Sequence, residues 1–423
     1  MKKTSLALLT GLLSLAAQAE NVAVVGGFVH TMSAQGSVDN GTVLIRDGRI
    51  EAIGQGIEIP AHFRVIDAKG KIVTPGLIGA YTSVGLVEVG SSAGTVDASY
   101  KPQDFSKAGS ALDVSYAINP DNSVLDVSRI EGFTLAATGM SSTHTLFGGQ
   151  GAIISLGDSD NLVKPKAFMS LSVNNGGADD AGGSRASLWP QVENAFAEAE
   201  ALNGKALSAK DEWHGYLSKA DVNALIPVVT GKMLLVVDAR RASDIRQVLA
   251  FKARHPKLNL ALLRATEGWR VADEIAKAGV PVILDPEPNL PYAFDMLAST
   301  MANAGRLDAA GVQVSIGVET HNLRLATQHA GNAVANGLPW QDGLAALTIN
   351  TAKLFGIDKD YGSLEKGKVA DLVIWSGDPL EAMQAPEQVL INGEAIKMES
   401  RQTKLRDRYL NLKRDTPYQY MRP

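Results

Sequence analysis

There is no cysteine in the 423 residues. That absence removes a thiol nucleophile, a disulfide framework and any zinc site built on thiolates. Charge of one sign is also scarce: the formal net charge is −5, too mild to suggest a nucleic-acid partner. No apolar run approaches the length of a membrane span. What is present, 45% hydrophobic and 20% charged residues, is an ordinary globular composition.

The start, MKKTSLALLTGLLSLAAQAE, has the order of a secretory signal. Lys2 and Lys3 give a positive end, Leu6 to Leu15 a short apolar stretch, and Ala17-Gln18-Ala19 a small-residue cleavage site. The mature chain is expected to begin near Glu20, after cleavage at Ala19, and to be exported, with the periplasm as destination. About 400 residues remain, a length that suits a barrel with an accessory domain.

Residues 21–75 are short alternating runs broken by glycine and aspartate, among them VAVVGGFVHTM, GTVLIRDGRIEAIG and FRVIDAKGKIV. They read as strands, with Asp47-Gly48 and Lys69-Gly70 as turns. The same texture returns in GSLEKGKVADLVIWSGD and EQVLINGEAIKM. Between the two, buried-strand runs such as MLLVVD, LNLALLRA, PVILDP and QVSIGVE alternate with amphipathic stretches such as RASDIRQVLAFKARH, EGWRVADEIAKAG and PYAFDMLASTMANAG. Such alternation means βα units and a parallel sheet. The expected class is α/β: a (β/α)8 barrel over residues 76–358, with a split β-sandwich domain from residues 20–75 and 359–400, and a basic tail over 401–423. Residues 85–128 and 174–190 are expected as long loops on the functional rim.

Two glycine motifs invite a chemical reading. Gly90-Ser91-Ser92-Ala93-Gly94 matches G-x-S-x-G, but TVDASYKPQDFS follows where a nucleophile elbow needs a helix. Gly148-Gly149-Gln150-Gly151 lacks the Lys-Ser/Thr of a phosphate loop and is expected to be a tight turn before the strand GAIISL. His30, His62, His214 and His255 are expected in turns or surface segments. His321 and His329, eight apart, do not share one helix face at ligand spacing.

TPGLIGAYTSVGL, AINPDN followed by GFTLAAT and FGGQGAIISL, and above all LPWQDGLAALTINTAKLFGIDKDYGSLEKGKVADLVIWSGDPLE carry a resemblance. The chain resembles the amidohydrolase superfamily, in its imidazolonepropionase-like branch, over nearly its whole mature length. The resemblance implies a metal at the C-terminal barrel mouth that activates water for hydrolysis of non-peptide C–N bonds. A bound metal can bring the pKa of water from about 15.7 to about 7. The family's ligands are an H-x-H pair on the first barrel strand, histidines after strands five and six, and an aspartate after strand eight.

Carried over position by position, these become Tyr81 and Ser83, then Asp238, then the Arg264 to Glu267 region, then Glu319. A phenol and a hydroxyl are poor substitutes for imidazole, and a guanidinium opposes a cation. Lys166 stands near the strand-four position without aligning to it. Two outcomes stay open. A rebuilt zinc or manganese site could use Asp238, Glu319, His144 and His321, or these groups simply hydrogen-bond one another. Asp238 and Glu319 are the candidate acid-base pair, and Arg264 and Glu267 the candidate substrate contacts. No cofactor is otherwise expected. A decayed hydrolase, a non-catalytic subunit of an active paralogue and a periplasmic ligand-binding protein are the three functional expectations. A homo-oligomer or hetero-oligomer is compatible with each; a nucleic-acid partner and a membrane span are not expected.

Overall fold

The structure, a computed structural model, describes residues 20–91, 94–102, 104–158, 161–317 and 323–410. The strands near the chain start are β1 (Val22–His30), β2 (Ser37–Arg46), β3 (Arg49–Gly54), β4 (Arg64–Asp67) and β5 (Ile72–Pro75). The turn between β2 and β3 is the expected one. Asp47 and Gly48 both take positive φ, 49° and 75°, the geometry whose twist matches paired antiparallel strands.

The barrel strands follow: β6 (Leu77–Thr82), β7 (Phe133–Thr138), β8 (Phe147–Ser155), β9 (Leu162–Ser172), β10 (Leu234–Ala239), β11 (Leu260–Arg264), β12 (Val282–Leu284) and β13 (Val314–Ile316). They form one eight-stranded sheet in sequence order. It nearly closes on itself, because the Gly317 carbonyl beyond β13 accepts from the Ala80 and Tyr81 amides of β6, at 2.9 and 3.2 Å. Every residue of β10 is buried, which is why MLLVVD reads as a continuous apolar run. Both faces of the strand are covered, inside by the barrel and outside by helices.

Seven strands run parallel, but β8 pairs antiparallel with both β7 and β9. The regular βα repeat expected throughout holds from β9 onward and gives way to a meander between β7 and β9. Gly148 to Gly151 are therefore not a turn but the first half of β8, with Gly149 at φ 86° beside a register shift that marks a bulge. Residues 174–190 are likewise not one loop; they contain the helix Asn175–Asp180 and the start of the helix Arg185–Ala201. PYAFDMLASTMANAG is split into a 3-10 turn, Phe294–Met296, and a helix, Asn303–Ala309. The helix Ala242–Arg254 forms as its sequence suggests, with Ile245, Val248 and Phe251 buried and Asp244 in its first turn, where a carboxylate favours the helix dipole.

The chain ends with β14 (Leu372–Trp375), β15 (Pro386–Ile391), β16 (Glu394–Ala395) and an exposed helix, Arg401–Leu410. β14 pairs with β5 and so joins the two chain ends in a second sheet. All eight of its strands belong to one hydrogen-bonded array, so the expected sandwich is carried only as far as that single sheet. Trp375 donates to the Thr74 hydroxyl of the neighbouring strand β5 at 2.9 Å, and its side chain belongs to the buried cluster that fills the space around the barrel. His30, expected at the surface, is buried at the end of β1 against Trp340, with ring centroids 4.7 Å apart. Burial lowers its pKa, and Asp378 opposes that shift. His255 is also largely enclosed, between Glu193 and Glu200.

The barrel interior is filled. Ile78, Leu135, Ile153, Phe168, Val236, Leu263 and Ile283 form one apolar cluster, leaving open space only at a strand end, as is usual for this architecture. Among the described residues no helix is long and apolar enough to cross a membrane.

Candidate functional site

A cavity of about 620 Å³ opens at the C-terminal end of the barrel strands, within the ordinary range for small-molecule sites. Tyr81, Ser83, Asp238 and Arg264, four of the positions taken from the family pattern, all line it. Tyr81 comes from the end of β6 with Ser83 just beyond it, while Asp238 and Arg264 come from the ends of the neighbouring strands β10 and β11.

Asp238 is 7% exposed and both of its oxygens face guanidinium groups. Arg264 Nη1 donates to Oδ2 at 2.6 Å, and Arg240 Nε reaches Oδ1 at 3.4 Å. The Arg264 backbone is unusual. Its φ is 67°, that of Ala265 is 38°, and the Ala265 amide donates back to the Leu263 carbonyl at 2.9 Å. This is a γ-turn of the rare positive-φ kind. Non-glycine residues are held in such conformations mainly where function or packing over-determines them.

The Tyr81 hydroxyl donates to the Met140 carbonyl at 3.3 Å. Burial pushes its pKa above the ordinary value, although a hydrogen bond with Ser170 and the charge of Arg264 oppose the rise. The phenol therefore stays protonated at neutral pH and is no anionic metal ligand.

Glu267 does not face the cavity. Its oxygens accept from the Ala242 and Ala298 amides, at 3.0 and 3.1 Å, and it pairs with Arg270. It is a buried staple between a helix start and a loop, not a substrate contact. His144 does line the cavity, but it is largely exposed and its nearest carboxylate is Asp180 at 3.5 Å. Lys166 points elsewhere, toward Asp113 at 3.5 Å. Glu319 and His321 lie outside the described residues, as do Ser92 and Ala93 of the G-x-S-x-G match.

The family's metal can be tested against these groups. Among the described residues no three His, Asp or Glu side chains converge as a ligand set. The first-strand donors are a protonated phenol and a hydroxyl. The fifth-strand carboxylate is already neutralised by two guanidinium groups, which a divalent cation would have to displace against like charge. The described residues do not fit the metal. Among the described residues no cavity serine is hydrogen-bonded to a carboxylate; the Ser142 hydroxyl lies 3.5 Å from His144 Nε2, a long and exposed contact, and the Ser170 hydroxyl lies 3.4 Å from the Gly149 carbonyl.

Sequence reasoning missed several lining residues: Arg240, Ser172, Asn174 and Asp295. Arg240 stood in plain view two places after Asp238, on the same strand end. Asp295 is 2% exposed; its Oδ2 accepts from the Asn175 amide at 3.1 Å, while Oδ1 has no partner among the described residues. It pins the loop after β12 onto the helix after β9.

Comparison with known proteins agrees with this architecture. The Amidohydrolase family model matches residues 257–396. The chain is 26% identical to the imidazolonepropionase of Sphingopyxis alaskensis over 82% of its own length and 89% of the relative's. Against the imidazolonepropionase of Legionella pneumophila it is 26% identical over 84% and 94%. An amidohydrolase structure from Thermotoga maritima superposes with a TM-score of 0.77 at 23% identity, covering 89% of this chain and 99% of that one. Together these matches support membership of the amidohydrolase superfamily, in its imidazolonepropionase-like branch.

Proposed function

We propose that this is an exported amidohydrolase-superfamily protein that has lost metal-assisted hydrolysis of C–N bonds and keeps its barrel mouth as a small-molecule binding site. The observation that carries the reading is Asp238. At the strand-five position it is held by Arg264, a fixed organic cation standing close to where the family would hold a metal ion. The strained turn beneath Arg264 supports a functional reason for that placement.

The test is elemental analysis of the purified mature protein after dialysis against zinc, then manganese, then chelator. The expected content is well below one metal per chain at every step. Near-stoichiometric metal that survives dialysis and is lost in Asp238→Ala would overturn the reading in favour of a rebuilt site. The export component has its own check: N-terminal sequencing of protein from the periplasmic fraction is expected to begin at Glu20.

One observation favours a second reading, that of a non-catalytic subunit. Leu290, Tyr292, Phe294 and Leu297, all in the loop beside the cavity, are 78%, 73%, 86% and 62% exposed, more clustered apolar surface than a free loop ordinarily carries. Co-expression with an exported paralogue that retains H-x-H would test it. Failure of the two chains to co-purify would sink it.

A further inference from the structure

We infer that the mouth binds a small carboxylate that also bears hydroxyl groups, with Arg240 taking the carboxylate. The inference rests on the reading of the mouth as a metal-free binding site and adds the chemical class of its ligand.

Four side chains on the cavity wall carry hydrogen-bonding atoms that no described residue satisfies. Arg240 is the first. Its side chain is 19% exposed, its Nε has only the long 3.4 Å contact to Asp238, and Nη1 meets the sulfur of Met296 at 3.7 Å. The Asp238 carboxylate is already held at 2.6 Å by Arg264, so Arg240 is a mostly desolvated guanidinium without a close oxygen partner. Its planar fork matches the two oxygens of a carboxylate.

The hydroxyls of Ser83 and Ser172 line the same cavity and make no hydrogen bond to any described residue. Asn174, 6% exposed, uses its Oδ1 to accept from Gly177 at 3.1 Å, which leaves its Nδ2 donors for the cavity. A ligand hydroxyl can donate to or accept from a serine and can accept from the amide. Tyr81 and His144 are the rings lining the cavity among the described residues, and Tyr81 already packs against Phe168, with ring centroids 5.7 Å apart.

Charge sets the orientation. Arg240 follows β10 and Arg264 ends β11, whereas Asp179 and Asp180 close the helix after β9. A carboxylate is drawn to the first pair and repelled by the second, which leaves the hydroxylated end toward Ser172 and Asn174.

The test is calorimetric titration of the full mature protein with three six-carbon probes. Gluconate carries both features, hexanoate only the carboxylate and sorbitol only the hydroxyls. Gluconate is expected to bind at least ~10-fold more tightly than either, since each charged or polar contact is worth about that factor. Arg240→Gln is expected to bring gluconate down to the affinity of sorbitol and leave sorbitol unchanged. Ser172→Ala, a smaller change less able to disturb the fold, is expected to weaken gluconate and sorbitol but not hexanoate.

Equal binding of hexanoate and gluconate would overturn the hydroxyl half of the proposal, and equal binding of sorbitol and gluconate the role of Arg240. If none of the three binds while the protein remains metal-free, the ligand class is wrong and the metal-free reading stands. Stoichiometric metal would instead remove the reading beneath it.

Discussion

Asp238 and Asp371 are each 7% exposed, one at the open mouth and one at the opposite end of the barrel, yet the chain has dealt with their charge in opposite ways. Asp238 has two guanidinium groups against it. Asp371, just before β14, has none. Its Oδ1 accepts from the Asn392 amide at 2.8 Å, while Oδ2, near the Thr134 hydroxyl, makes no hydrogen bond of ordinary geometry to any described residue. Burial pushes its pKa up to about 6, and the Asn392 amide and Thr134 hydroxyl only partly oppose this. The mouth carries an ion pair, and the closed end carries a carboxyl that holds its proton to a higher pH than an ordinary one. A charge that is paired and kept belongs to a site that faces ligands. A buried carboxyl without a counter-ion costs stability and serves the joint between barrel and sheet.

The largest effect should come from breaking the pair at the mouth. Asp238→Ala leaves two guanidinium groups beside a cavity without their shared carboxylate. Removing one partner of a buried pair costs about 3–5 kcal/mol. A lower urea midpoint with an unchanged m-value would report that loss. An unaffected midpoint would mean that solvent already satisfies both arginines, and the contrast with Asp371 would collapse.

At the other end the sign reverses. A folded-state pKa of about 6 lies above the ordinary carboxyl value of about 3.9. Between these values the folded chain holds a proton that the unfolded chain has released, so stability falls as pH rises from about 4 to about 6 and is flat above. The cost at neutral pH is of order 3 kcal/mol at most. Asp371→Asn keeps the acceptor for the Asn392 amide and removes the charge. It should therefore stabilise the protein by about 1–3 kcal/mol at pH 7.5, with the advantage shrinking toward pH 4. Urea titrations at both pH values would check this; a variant equally or more destabilised at pH 7.5 would show that the carboxylate is needed there.

Parts of this arrangement were legible beforehand because they depend on local pattern. The apolar runs of β10 to β13 announce strands buried on both faces, and Asp47-Gly48 announces a hairpin. Tyr81, Ser83, Asp238 and Arg264 were found because each stands at a strand end that the family motif fixes. Strand direction leaves no such trace. β8 is buried almost throughout, like β7, and only its partners reveal that it runs backwards. Glu267 was misplaced for a similar reason. Three residues past Arg264 it counts as rim, but the two positive φ values at Arg264 and Ala265 turn the chain away and deliver Glu267 to backbone amides instead. Arg240, Ser172 and Asn174 carry no motif; their importance lies in what they fail to touch, which only three dimensions disclose.

The smallest effect addresses that turn directly. Arg264→Ala and Arg264→Gly both delete the guanidinium and leave Asp238 with Arg240 alone, so their electrostatic losses are the same. They differ in the backbone. At φ 67° an L-residue sets its Cβ against the backbone carbonyl, whereas glycine meets no such clash. The glycine variant should therefore be more stable than the alanine variant by about 1 kcal/mol, even though glycine ordinarily loses more entropy on folding. If alanine proves the more stable of the two, the turn is not strained in solution. Only the ion pair with Asp238 would then mark Arg264 as a functional residue.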